Sequence, residues 1–395
     1  MRHVFLFCWL LSTPLWAKID STQVCLPCNE IQADSSLALL ATKWKSGDLK
    51  VLHLGDSHVQ IGHFSGEIKR LLKAKNSGIQ FPYSLAKSVD GRLFKTAASG
   101  NWSGTSILKP AAGTNIGLAG YAVATRDSSA KLLFTAKDSL FSFRRVRVWF
   151  TVDSCSLVPE LGPGFKRIRE TKQGKIAYQD FETNSGVNQF TLSFQKNTLG
   201  DQFTLHGLEL LSDEKGIEYS DLGVAGAQFT HLKSRANLVL DQIKILQPDL
   251  LICSFGTNEA YNANWERQAY RKALDAFLKE VKAITPATVV LFTSPPDTRS
   301  QNRVPKYQQE VIQVLSETKE PFYDLNAAMG GFGSSLAWVK NGCFLKDQLH
   351  LTKEGYQLQA KLFALALFKS WGDQAAFENL QNQVNQHIIS VGIPK

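Results

Sequence analysis

Ser57 sits in Gly55-Asp56-Ser57-His58, a short turn sequence that follows an apolar run. A serine hydroxyl is inert at neutral pH unless a base takes its proton. Asp347-Gln348-Leu349-His350, near the other end of the chain, supplies that base and a carboxylate to orient it. A spacing of three in a loop entering a helix places Asp347 and His350 on one side. The carboxylate then fixes the imidazole tautomer and leaves the other ring nitrogen for Ser57. Asn258, in Gly256-Thr257-Asn258, offers an amide to a developing oxyanion. Gly226 offers a backbone N–H with no side chain in the way. The chemistry implied is acyl transfer through a serine ester. Each segment also has a plainer explanation. Ser57 would cap a helix, Asp347 would close a loop, and Gly226 and Asn258 would serve turns. What favours chemistry is their joint presence, in order, each beside an expected strand or helix.

Other residues are weaker candidates. His58 adjoins Ser57, so its side chain points elsewhere and is not expected to be the base. His53 is expected to pack inside a strand. Asp56 is expected to accept from its own turn backbone. Ser294-Pro-Pro-Asp-Thr-Arg-Ser-Gln301 follows a strand on the expected catalytic edge, where Arg299 or Gln301 could contact a sugar or a peptide carboxylate. Trp102, among turn residues, is a candidate for stacking on a sugar ring. Trp149 alternates with Val146, Val148 and Phe150, which predicts core packing. The Gly-Thr-Asn-Glu segment lacks the histidine that a metallophosphatase would place there, so no metal and no cofactor are expected.

Apolar runs and helical periodicities alternate around these residues. Lys50-Val51-Leu52-His53-Leu54, Pro248–Phe255 and Thr288–Ser294 read as buried strands, with a short one at Phe322–Leu325. Helical patterns cover His63–Lys75, Phe229–Leu246, Tyr270–Ile284, Val304–Ser316 and Thr352–Phe368, with a last surface helix after Trp371. Strands alternating with helices imply a parallel, doubly wound sheet. Between about Phe81 and Asp213 the texture changes to short alternating segments rich in Gly, Ser, Thr and aromatics. That pattern predicts an all-β sandwich inserted into the α/β unit. The expected division is residues 18–80 and 214–395 for the catalytic unit, with 81–213 for the insertion.

The first residues read as an export signal: Arg2, the apolar run Val4–Leu11, and a small residue at Ala17 after which cleavage is expected. The apolar run is too short for a stable membrane span. The expected compartment is therefore outside the cytoplasm. The 395 residues carry a net charge of +9, 44% hydrophobic and 20% charged, so a core needs no staples. The cations are dispersed, which predicts a solvated basic surface and no nucleic-acid site. Cys25-Leu-Pro-Cys28 can close a small disulfide, and no second Cys-x-x-Cys completes a zinc site. Cys253, in an apolar strand, reads as an inert core thiol.

The four segments resemble the four blocks of the SGNH (GDSL-like) hydrolases. By that resemblance Ser57 is the nucleophile, Ser57, Gly226 and Asn258 form the oxyanion hole, and Asp347 and His350 complete the triad. The implied fold is a three-layer α/β/α sandwich. Gly-Asp-Ser-His in place of the commoner Gly-Asp-Ser-Leu is similar to the subgroup holding bacterial peptidoglycan O-acetylesterases, whose β-sandwich module resembles a carbohydrate-binding domain. The resemblance implies a periplasmic esterase acting on O-acetylated peptidoglycan muramic acid or a related polysaccharide. Two alternatives stay open. One is an esterase or transacetylase on another polysaccharide or lipid. The other is a non-catalytic wall-binding protein.

Overall fold

The structure is a computed structural model that describes residues 24–90, 93–137, 142–151, 157–195, 202–211, 215–300 and 303–392. The expected export signal, Cys155 and Gln301 lie outside the described residues.

The strand Lys50–Gly55 shows how the sequence builds the central layer. Its alternation sends Val51 to one apolar cluster and Leu52 and Leu54 to the other, one on each face of the sheet. A strand buried on both faces belongs inside a parallel sheet covered by helices. The sheet runs in the order 31–32, 322–323, 289–293, 250–254, 50–55, 218–223. All its neighbouring pairs are parallel except that of Ile31–Gln32 with Phe322–Tyr323. Helices His63–Leu71 and Lys353–Ser370 cover one face. Helices Phe229–Arg235, Val239–Leu246, Arg267–Ile284 and Gln308–Ser316 cover the other. Lys353–Ser370 is apolar nearly all round because the sheet side and helix Gln374–Ser390 enclose it. The Thr352 hydroxyl caps its start by accepting from the Gly355 N–H.

Three helical expectations need correction. The helix from His63 ends at Leu71, because Lys73 turns left-handed at φ +53°. The pattern over Phe229–Leu246 is two helices, interrupted after Arg235. Asn237 sits in the break, accepting from the Ile116 N–H at 2.9 Å and donating to Asn115 at 2.7 Å. A continuous helix would not turn that side chain to the neighbouring loop. The helix expected from Val304 begins at Gln308, since Pro305 restricts the residue before it.

The antiparallel part comprises two sheets. One holds seven strands, with Phe143–Thr151 between Ile176–Val187 and Phe203–Leu211. The other runs 94–99, 131–136, 189–195, 158–162. Gly78–Gln80 already pairs with Leu208–Leu210, so antiparallel pairing starts ahead of residue 81. Phe134 and Phe190 stack at 5.3 Å, and Phe194 and Phe203 meet at 4.7 Å. Trp149 is fully buried against Tyr178, with the Arg147 guanidinium over both rings. The apolar core runs unbroken from these aromatics into the Leu52 and Leu54 face of the parallel sheet. Among the described residues no helix is long and apolar enough to cross a membrane.

Candidate active site

The carboxyl ends of the parallel strands set the site, as open α/β sheets generally do. Lys50–Gly55 ends one residue before Asp56, and Ser57 begins the short helix Ser57–Gln60. Asp56 caps that helix by accepting from the His58 N–H at 3.0 Å. The tight turn depends on Gly223 in the neighbouring strand. A methyl group there would stand 2.3 Å from the Gln60 nitrogen and 2.5 Å from the Asp56 carbonyl oxygen.

Ser57 Oγ lies 2.9 Å from His350 Nε2, across 293 residues of sequence. His350 Nδ1 lies 2.7 Å from Asp347 Oδ2. The other carboxylate oxygen, Oδ1, accepts from the N–H groups of Leu349 and His350 at 3.0 Å each. Asp347 therefore orients the ring and folds the loop that carries it. The loop needs Gln348 at φ +54°, and the Gln348 carbonyl accepts from the Arg299 N–H at 2.9 Å. Partial burial pushes the Asp347 carboxyl up. The His350 ring and the two N–H donors outweigh burial and hold it below its ordinary value. It is therefore charged at neutral pH, as an orienting carboxylate must be.

Asn258 begins one turn past the strand Leu250–Ser254, in the helix Thr257–Tyr261. Its amide donates to the Ala227 carbonyl at 2.9 Å and makes a long 3.4 Å contact with Asp56 Oδ2. The second amide hydrogen is only weakly engaged. Gly226 is exposed at φ +81°, a conformation a side chain would strain. Neither the Ser57 nor the Gly226 N–H has a backbone acceptor among the described residues. Acyl transfer requires such donors near the attacked carbonyl, and the Ser57 and Gly226 N–H groups and the Asn258 amide are the candidates for them.

His58 is buried, and its Nδ1 meets the Tyr356 hydroxyl at 2.8 Å. Burial, and then the neighbouring His350, push His58 down to about 3, so it stays neutral. Its ring lies 5.5 Å from the His350 ring, tilted by 40°. His53 is a packed strand histidine, bonded to Tyr219 Oη and Ser254 Oγ at 2.7 Å each. Arg299 flanks the Asp347–His350 loop through its backbone. Trp102 lies in the antiparallel part, where its indole N–H donates to the Ser99 carbonyl at 3.1 Å. Cys253 is buried, and burial pushes its thiol well up, consistent with an inert residue. Cys25 and Cys28 form a disulfide. Among the described residues no three His, Cys, Asp or Glu side chains group as metal ligands.

Two residues of the site carry no motif of their own. Gln60 accepts from the Ala225 N–H at 2.7 Å and donates to Ser88 Oγ at 2.7 Å. It ties the loop holding Gly226 to the chain leading into the antiparallel sheets. Gln60→Ala is expected to lower kcat about 10–100-fold on a small acetate ester, with KM within twofold, because the Gly226 N–H loses its registration. Steady-state kinetics check this, and an unchanged kcat would remove Gln60 from the site. Its only sequence signal is its position three residues after Ser57.

Glu259, next to Asn258, is fully buried and accepts from the Phe229 N–H at 2.6 Å. It braces the start of the helix that follows the Gly226 loop. Gln228 adds a second brace by donating to the Asn258 carbonyl at 3.2 Å. Burial pushes Glu259 up to about 8, and it pushes the adjacent Asp56 up to about 7. The folded state thus holds the Glu259 proton over a pH window in which the unfolded chain, with an ordinary carboxyl near 4.5, has lost it. Stability must fall as pH rises through that window. Glu259→Gln keeps the acceptor and removes the titration. Its melting temperature is expected to decline less between pH 5 and 8 than that of the unmodified protein; parallel declines would contradict the assignment.

No curated protein matches the chain. Residues 198–358 match the GDSL-like lipase/acylhydrolase family, a stretch that contains Gly226, Asn258, Asp347 and His350 and leaves out Ser57. Among solved structures, a peptidoglycan O-acetylesterase is similar at TM-score 0.70 and 20% identity, over 86% of this chain and 96% of that one. That share is too large for the parallel-sheet part alone, so the likeness extends into the antiparallel sheets. A lipase/acylhydrolase from Enterococcus faecalis (TM-score 0.29, 20% identity) covers 40% of this chain and 78% of its own. A catalytic mutant of an acetylxylan esterase from Geobacillus stearothermophilus (TM-score 0.32, 19% identity) covers 40% and 74%. The chain has the SGNH-hydrolase fold.

Proposed function

We propose that the protein is an exported serine esterase that removes O-acetyl groups from a polysaccharide, with O-acetylated peptidoglycan as its substrate. The observation that carries the chemistry is the relay from Ser57 Oγ through His350 to Asp347, at 2.9 and 2.7 Å. Ser57 attacks the acetyl carbonyl while His350 Nε2 accepts its proton. Asp347 steadies the imidazolium. The Ser57 and Gly226 N–H groups and the Asn258 amide stabilise the tetrahedral oxyanion. His350 then protonates the departing sugar oxygen, leaving an acetyl-enzyme. Water, deprotonated by His350, attacks that ester, releases acetate and restores Ser57. Every step runs on this chain's own residues.

The polysaccharide assignment is supported by the likeness in fold to a peptidoglycan O-acetylesterase across both parts of the molecule. The antiparallel sheets would then act as a carbohydrate-binding module. The test is acetate release from O-acetylated peptidoglycan, acetylated xylan and a lysophospholipid, side by side. Peptidoglycan is expected to be turned over fastest; preference for xylan or lipid would overturn the substrate, and no release from any would overturn the esterase. Export follows from the sequence of residues 1–17, and the mature chain would then begin at Lys18. N-terminal sequencing of protein recovered outside the cytoplasm checks this; retention of Met1 would contradict it.

A further inference from the structure

A second bridge runs beside the relay. His58 Nδ1 meets the Tyr356 hydroxyl at 2.8 Å, and the two residues are 298 apart in sequence. Each adjoins a reacting residue. His58 follows Ser57 directly, in the short helix Ser57–Gln60. Tyr356 stands near the start of the helix Lys353–Ser370, where its N–H donates to the Thr352 carbonyl at 3.0 Å. The chain between His350 and that helix is pinned. The Thr352 N–H donates to the Cys343 carbonyl at 2.9 Å, and the His350 carbonyl accepts from the Leu345 N–H at 2.8 Å. Nucleophile and base are thus joined twice, once through Ser57 and His350 themselves at 2.9 Å and once through these neighbours.

The surroundings hold the bridge in place. Tyr356 is fully buried, and His63 stacks on its ring at 6.1 Å with the planes 8° apart. Burial pushes the phenol well up, and the Leu351 N–H, next in the chain to His350, offsets that only in part. The hydroxyl therefore keeps its proton throughout the neutral range. His58 Nε2 has no hydrogen-bond partner among the described residues, so the ring's hydrogen bond runs to Tyr356. The ring is neutral, and it adds no repulsion when His350 becomes an imidazolium.

The two joins differ in when they exist. During acylation His350 Nε2 takes the proton of Ser57 Oγ, and their hydrogen bond places the base. In the acetyl-enzyme that oxygen is an ester oxygen with no proton to share. His350 Nε2 must then take a proton from water as the water oxygen bonds to the acetyl carbon. It returns that proton to Ser57 Oγ as the C–Oγ bond breaks, and acetic acid leaves. Through this half of the reaction the hydrogen bond that registered base against nucleophile is gone. The His58–Tyr356 bridge involves no reacting atom and persists. A misplacement near 1 Å can cost about 10²-fold in rate, so what holds the base at this stage matters.

We propose that His58 and Tyr356 are positioning residues for deacylation, their hydrogen bond keeping His350 in register with the Ser57 ester while the Ser57–His350 hydrogen bond is broken. The inference rests on the serine esterase reading for the reaction. It gives the histidine after the nucleophile a task that the leucine of the commoner Gly-Asp-Ser-Leu, with no polar atom in its side chain, cannot perform.

Four variants of the full chain test it: Tyr356→Phe, His58→Leu, the double variant, and His58→Asn, whose amide offers a polar atom near the Nδ1 position. Acylation is read with p-nitrophenyl acetate in a single turnover with enzyme in excess. Deacylation is read as the decay of the acetyl-enzyme, followed by intact mass in quenched samples. Tyr356→Phe and His58→Leu are each expected to slow deacylation about 10–100-fold and acylation less than about threefold, so that acetyl-enzyme accumulates. The double variant should be no slower than either single one, because both remove the same hydrogen bond. His58→Asn should recover deacylation to within about threefold of the unmodified protein. A structural role alone would slow both steps alike or lower the fraction of enzyme that acylates. Either result, losses that multiply in the double variant, or a folded His58→Asn as slow as His58→Leu would overturn the proposal. Tyr356→Phe removes a single atom, so it decides the question by itself should a His58 variant fail to fold. An unmodified protein that forms no acetyl-enzyme would overturn the esterase reading and the inference that rests on it, whereas equal slowing of both steps overturns the inference alone.

Discussion

Ser57→Ala is expected to lower turnover of an acetate ester by about 10⁶-fold while leaving the melting curve in place, the loss seen when the nucleophile of a triad is removed. The magnitude follows from what remains. The candidate Gly226 and Asn258 donors would persist, and in triad enzymes the oxyanion donors and binding alone leave about 10³–10⁴-fold over water. The fold should be indifferent for a local reason. Ser57 opens a four-residue helix, and its hydroxyl is bonded to His350 Nε2. The Asp56 cap on the His58 N–H does not involve the serine side chain. Alanine is also the better helix former. His350→Ala should cost about as much, and the double variant scarcely more, because the two act as one unit. Turnover is read with a soluble ester and stability by thermal denaturation. Activity within tenfold of the unmodified protein in Ser57→Ala would remove Ser57 as nucleophile. A lower melting temperature that accounts for the loss would make it a structural residue.

The relay is visible in the sequence because its chemistry restricts residue type. A serine after a strand and glycine, and a histidine three residues past an aspartate, survive in linear text. The braces around it do not. Gln60 acts by reaching Ala225 and Ser88, residues remote from it in the chain and drawn from two parts of the fold. Glu259 acts by reaching the Phe229 N–H. Glutamine and glutamate at such positions look like ordinary helix residues until the partner is known. The split at Asn237 was hidden similarly. The periodicity of Phe229–Leu246 is continuous, and only the neighbouring loop, with its own N–H to satisfy, explains why the helix stops. The parallel sheet was legible because its strands are uniformly apolar. The start of antiparallel pairing at Gly78 was not, since three residues with no alternation give no period to read.

Asp347→Asn should cost about 10⁴-fold in kcat at unchanged stability, and the reason lies in how the two carboxylate oxygens are used. Oδ1 accepts from the Leu349 and His350 N–H groups and so shapes the loop. Asparagine keeps an oxygen for that task, so Gln348 can hold its left-handed turn and His350 its position. Oδ2 faces His350 Nδ1. Asparagine puts an NH₂ there, which donates and cannot accept. The ring must then leave Nδ1 bare and carry its proton on Nε2, the nitrogen facing Ser57. An Nε2–H cannot take the serine proton, so the base is disabled without being moved. Asp347→Ala is expected to lose the same activity and stability as well, because the loop also loses its acceptor. The comparison separates orienting from folding. A stable Asp347→Asn protein that retains a tenth of its activity would show that His350 needs no fixed tautomer, and the relay would reduce to a serine–histidine pair.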